Sequence, residues 1–208
     1  MNILVINGHP DKKSFNASIF KEVIKNLNSK KHQIETLNLA EMKFDPVLRF
    51  GYRERMKEDA EITNSQELIQ WADHLIFIYP IWWGSMPSLM KGWIDRVFTP
   101  GITYRSNPRG RFLVNFITGR QFEQLAKGKT ATIITTSQGP GIWFKVFSGF
   151  ISLSPNSYGI AVLKNAVLKI CGIKTNKILS FGLIGREENT IEMRKKFLKK
   201  VSKYVNKI

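Results

Sequence analysis

Short apolar runs alternate with polar loops and with segments whose apolar residues recur at helical spacing. Ile3 to Ile6 is continuously apolar, the pattern of a strand buried on both faces. A polar stretch from Asn7 to Lys13 follows. Behind Ser14, the residues Phe20, Val23, Ile24 and Leu27 fall at helical intervals. The chain therefore opens as strand, loop, helix, with Ser14 placed to cap the helix. Residues 33–39 alternate, with Ile34, Leu37 and Leu39 among polar neighbours, and predict a second strand near a sheet edge. Residues 43–61, with Pro46 and Gly51, predict a long connection with one helical turn. A helix is expected over 65–72, a buried strand over 74–79 and a helix over 88–98. Residues 100–128 and 142–159 read as irregular. Residues 130–136 read as the fourth strand. A helix is expected over 161–171 with Gly172 as its stop, a fifth strand over 177–184, and a last helix from near Glu187.

Alternating short apolar strands and helices predict an open parallel sheet covered on both sides by helices, α/β in class. Right-handed crossovers leave few topologies, and five strands favour the order 2-1-3-4-5. In such sheets ligands bind beyond the carboxyl ends of the strands where the order reverses, here between strands 1 and 3. Three loops meet there: residues 7–16, 80–87 and 136–144.

Each loop has a distinctive composition. The first carries His9, Ser14, Phe15 and Asn16 and opens onto a helix N-terminus, where free N–H groups and the helix dipole favour an anion. It is neither G-x-G-x-x-G nor a Walker A loop, so those nucleotide fingerprints are absent. The second reads Pro80-Ile81-Trp82-Trp83-Gly84-Ser85-Met86-Pro87. Adjacent indoles at a strand end suit a planar heteroaromatic ring, against the plainer reading that they pack in the core. The third, Thr135-Thr136-Ser137-Gln138-Gly139, is small and polar, as needed for hydrogen bonds to a ligand edge and equally as an ordinary turn.

Length and composition narrow the class. The 208 residues are 43% hydrophobic and 23% charged, which fits one globular domain over residues 1–208 and excludes global disorder. A single cysteine, Cys171, excludes an internal disulfide and suits a reducing compartment. No transmembrane run or signal peptide is apparent, so a cytoplasmic protein is expected. The formal charge of +16 favours acidic partners. Solvated helix faces account for most of it, and no nucleic-acid motif accompanies it.

The usual catalytic constellations are missing. There is no G-x-S-x-G elbow. His9, His32 and His74 make no zinc pattern, and His32, His74 and Cys171 read as structural. Aromatic walls and phosphate donors without an acid–base set point to cofactor chemistry, which the protein positions and tunes.

These segments, together with Phe44-Asp45-Pro46-Val47-Leu48, Trp71-Ala72-Asp73, Lys91-Gly92-Trp93-Ile94-Asp95-Arg96-Val97-Phe98 and Gly101-Ile102-Thr103-Tyr104, resemble the flavodoxin-like NAD(P)H:quinone oxidoreductases, the group of DT-diaphorase and the modulators of drug activity. The resemblance spans about residues 3–140 and implies a flavodoxin-like three-layer sandwich. It implies that His9, Ser14, Phe15 and Asn16 hold the flavin phosphates and ribityl end. Pro80, Ile81, Trp82, Trp83 and Gly84 would line the isoalloxazine, and Thr135 to Gly139 its pyrimidine edge. Tyr104 would line the substrate pocket across a homodimer interface. FAD is the favoured cofactor, with FMN the alternative, NAD(P)H the co-substrate and a quinone the acceptor, in a ping-pong two-electron transfer through flavin N5. Some relatives instead serve as regulatory subunits of a membrane potassium-efflux system, which gives an alternative role and a reason to consider a membrane surface. One departure stands out. The mammalian members of the group carry a Tyr and a His after the Thr-Thr loop; here the nearest match to the Tyr is Trp143, and no His follows His74. No acid–base residue is assigned.

Overall fold

The computed structural model describes residues 1–106, 122–139, 155–185, 187 and 190–208. Five strands form one parallel sheet: β1 (Asn2–Asn7), β2 (Gln33–Asn38), β3 (His74–Ile81), β6 (Thr130–Ser137) and β7 (Lys174–Phe181). Their order is β2-β1-β3-β6-β7, the expected 2-1-3-4-5 arrangement with the reversal between β1 and β3. β3 is buried at all eight positions because strands flank it and helices cover both its faces.

The two faces carry separate cores. Ile3, Val5, Ile76, Ile78, Ile134, Leu179 and Phe181 pack under α1 (Phe15–Asn26) and α6 (Ile191–Val205). Leu4, Ile6, Leu75, Phe77, Tyr79 and Ile133 pack on the other side under α2 (Ala60–Trp71) and α3 (Ser88–Val97). That side is completed by a continuous helical rod: α4 (Pro155–Ala161), a π-helical stretch (Val162–Leu168) and α5 (Lys169–Cys171). Gly172 ends the rod in the left-handed region at φ 87°.

Several boundaries move. The second helix starts at Ala60 because the Asp59 side chain accepts from the Glu61 and Ile62 N–H groups. No helical turn is assigned over residues 43–59. The rod starts at Pro155, six residues before the expected helix. The fifth strand lies three residues earlier than expected, since Lys174 and Lys177 belong to an exposed sheet edge that tolerates polar side chains. The last helix starts at Ile191, where Thr190 caps the Met193 N–H. Within the irregular stretch, β4 (Tyr104–Ser106) and β5 (Phe122–Gln124) form a short antiparallel ribbon.

The long connection between β2 and α2 is clamped to α3. Arg96, nearly fully buried, donates to the Asp45 carbonyl at 2.9 Å and pairs with Asp59 at 3.3 Å. A Cβ on Gly92 would stand 2.1 Å from the Pro46 carbonyl oxygen, so this approach requires glycine.

Candidate functional site at the carboxyl edge of the sheet

β1 delivers Asn7 to the carboxyl edge fully buried. Its amide donates to Asn38 Oδ1 at 3.0 Å and its own Oδ1 accepts the His9 N–H at 3.3 Å. Gly8 donates to the Ile78 carbonyl at 2.8 Å, and a Cβ there would stand 2.5 Å from Met90 Sδ. The loop is thus pressed between β3 and α3. His9 Nδ1 accepts the Asp11 N–H at 2.9 Å, which leaves the proton of the neutral ring on Nε2. Burial pulls the His9 pKa below the ordinary imidazole value, with Asp11 opposing weakly. Near neutral pH this ring is an uncharged Nε2–H donor.

Ser14 caps α1 through a 3.2 Å bond from the Ala17 N–H to its Oγ. The first turn of α1 holds no acidic residue, so its positive end is uncompensated. Asn16 is buried and spans two elements: its Oδ1 accepts the Thr136 hydroxyl of β6 at 2.7 Å. Among the described residues its Nδ2 has no hydrogen-bond partner. A buried amide donor without an acceptor costs about 1–3 kcal/mol, which a ligand acceptor would relieve.

At the end of β3, the Trp82 N–H donates to the Ser85 carbonyl and the Ser85 N–H donates back, both at 2.9 Å. Trp83 and Gly84 sit between them at φ 49° and 72°. Positive φ at both central residues is a type I′ turn, normally built from Asn-Gly. Placing Trp in the left-handed region costs on the order of 1–2 kcal/mol. The strain turns the Trp83 indole fully into solvent. Trp82, half exposed, meets the edge of the His9 ring at 5.3 Å between centroids, tying the first two loops together. Pro80 and Ile81 belong to the buried strand, so they line the floor of this corner rather than a loop.

In the third loop Thr135 Oγ1 bonds Ser180 Oγ at 2.8 Å on the α3 side of the sheet, while Thr136 faces Asn16 on the other. Ser137 Oγ donates to the Gly139 carbonyl at 3.1 Å. The Ile184 and Leu183 N–H groups close the loop onto the Ser137 and Gly139 carbonyls.

A model of the flavodoxin-like fold family matches residues 1–205. The chain belongs to that family. It is 27% identical to the mouse ribosyldihydronicotinamide dehydrogenase [quinone], over 87% of this chain and 81% of that protein. It is 31% identical to the guinea-pig NAD(P)H dehydrogenase [quinone] 1, over 49% of this chain and 44% of the relative, so it spans less than half the length of that protein. The crystal structure of Smu.1420 from Streptococcus mutans UA159 is similar at a TM-score of 0.80 and 37% identity, with both chains covered completely. The names of the two mammalian relatives agree with the oxidoreductase class that the resemblance implies.

Within this flavodoxin-like chain the expected residues do not all converge. His9, Ser14, Asn16, Trp82, Thr136 and Ser137 gather at one edge. The Phe15 ring turns away, packing 5.2 Å from Phe181 with the Arg194 guanidinium 5.6 Å above it, so Phe15 brings only its backbone N–H to the loop. Tyr104 lies beyond the far end of α3, roughly 15 Å of helix from the carboxyl edge. There it lines a separate 190 Å³ crevice with Tyr52, Phe98, Phe122 and Cys171. Burial, with Tyr52 beside it, pushes the Tyr104 hydroxyl up to about 12. Trp143 lies outside the described residues. Two contributors were not anticipated: Asn7, which braces the first loop, and the 183–184 segment, which closes the third. The positive φ of Leu183 beside Gly182 and Gly185 is a turn signal only in hindsight.

Proposed function

We propose that this chain is a flavin-dependent NAD(P)H:quinone oxidoreductase, with FAD favoured over FMN, working as a homodimer in a reducing compartment. The unpartnered Asn16 amide, held at the positive end of α1, is the observation that carries this reading. A neutral donor beside an uncompensated helix N-terminus fits the phosphate and ribityl end of a flavin. The His9 Nε2–H and the Ser14 hydroxyl add donors on the same loop, while the Ser14 N–H is spent on the Asp11 carbonyl. A bound flavin would supply a two-electron acceptor and donor that no side chain here provides. The backbone from Pro80 to Gly84 would lie along the ring system, and the strained turn would hold Trp83 ready to stack on a flat donor or acceptor. Thr135 to Gly139 would meet the polar edge of the ring. Positioning supplies much of the rate for such transfers, since hydride transfer needs a close and aligned approach. Given the substrate role that the resemblance implies for Tyr104, its remoteness from the corner calls for a site completed by a second copy.

The purified protein is expected to be yellow, to release FAD on denaturation, and to oxidise NAD(P)H with menadione as acceptor. A colourless protein that takes up neither FAD nor FMN overturns the reading.

A further inference from the structure

The charge of this chain is separated across the sheet. Residues 33–73, around the β2 edge, carry nine acidic residues against five basic ones. Beside β7, at the opposite edge, α6 carries one acidic residue, Glu192, against six basic ones. At 100° per residue, Lys195, Lys196, Lys199, Lys200 and Lys203 of this helix fall within an arc of about 140°, and Lys207 follows two residues past its end. All six are exposed. None is ion-paired with a carboxylate among the described residues. The opposite side of the helix, Phe197, Val201 and Val205, is buried in the core. The neighbouring helix α1 leaves its own Glu22 bonded to Ser202, inside the junction.

We propose that this lysine face docks the protein on an anionic phospholipid bilayer, with the β2 edge turned to solvent. Clusters of four to eight basic residues on an amphipathic helix suit anionic lipid surfaces. The stripe is lysine throughout. It lacks the arginine forks and stacking aromatics that nucleic-acid surfaces use. The apolar side of α6 is committed to the core, so the helix cannot insert, and attraction is electrostatic and reversible. The acidic opposite edge adds orientation, since it is repelled by the same surface.

The test is sedimentation of the full chain with vesicles of phosphatidylcholine alone, or with about a third phosphatidylglycerol. Binding is expected only to the anionic vesicles, and strong loss is expected between about 20 and 200 mM salt as screening shortens. The K196Q/K200Q/K203Q variant should partition roughly a hundredfold more weakly, at about fivefold per lysine. The K43Q/R55Q/K57Q variant removes the same charge from the β2 side and should bind as the parent does. Equal losses in both variants would reduce the effect to bulk charge and overturn the docking face. So would equal binding to neutral vesicles, or release of the vesicle-bound protein by an equal phosphate concentration of duplex DNA. Circular dichroism melting of both variants confirms that neither loss is unfolding.

Discussion

At the scale of single residues, Asn16 and Trp83 hold conformations that the fold alone does not reward. Asn16→Asp keeps the acceptor for Thr136 but replaces the unpartnered amide donor with a carboxylate oxygen. We expect flavin affinity to fall at least tenfold, about the worth of one hydrogen bond, with the Tm little changed because the helix N-terminus favours the added charge. A fluorescence-quenching titration measures it, and undiminished affinity would show that the amide does not face the ligand. Trp83→Gly should move in two directions at once. Removing a bulky residue from φ 49° should stabilise the apoprotein by about 1 kcal/mol, while turnover with a flat acceptor falls as the stacking surface is lost. Denaturant unfolding and steady-state rates on the same preparation separate the two effects. Little of this was legible in advance. A polar side chain after Ser14 announces a donor, but that one end of Asn16 is bonded and the other vacant depends on Thr136, 120 residues away. The tautomer of His9 likewise depends on the local fold of its loop.

At the scale of elements, the buried strands were legible because apolar runs of four to eight residues leave few alternatives in an α/β chain. The boundaries that differ have two causes: an edge strand is set by a partner far along the chain, whereas Asp59 and Thr190 fix helix starts locally through their own caps. Lys174 pairs with Thr130, and β7 begins there although its first four residues are polar. His74 shows how such pairings carry stability. Buried in β3, its ring bonds Thr130 at 2.6 Å and Thr132 at 3.0 Å, and Thr132 bonds Tyr204 of α6 at 2.9 Å. Burial lowers the His74 pKa from 6.5 to about 4. Between those values the unfolded chain binds the proton and the folded one does not. Stability is therefore complete above pH 6.5 and lost as pH falls through the window, by up to about 3 kcal/mol. His74→Gln should flatten the decline of unfolding free energy between pH 6.5 and 4, and an unchanged slope would remove His74 as its source. Gly92→Ala should cost more, about 3 kcal/mol or above, because the Pro46 carbonyl cannot withdraw without dislodging the connection that Arg96 clamps. Chemical denaturation measures the loss.

At the scale of the whole molecule, the carboxyl-edge corner and Tyr104 lie at opposite ends of α3, yet the proposed reaction asks both to serve one acceptor. A single chain cannot bring them together without dismantling the helix, whereas two copies related by a twofold axis can exchange them, each completing the other's site. That arrangement makes a prediction no single-chain site can satisfy. A variant at Asn16 that has lost flavin and a Tyr104→Ala variant should each be nearly inactive as pure homodimers. Unfolded together in equal amounts and refolded, half of the dimers become mixed. Each mixed dimer has one site with both residues intact and one with neither, so about a quarter of the parental activity should return. Light scattering on the same samples fixes the dimer mass. If both residues act within one chain, every chain in the mixture carries one defect and no activity returns. The experiment thus reads directly whether the substrate side of the site is made by this chain or by its neighbour.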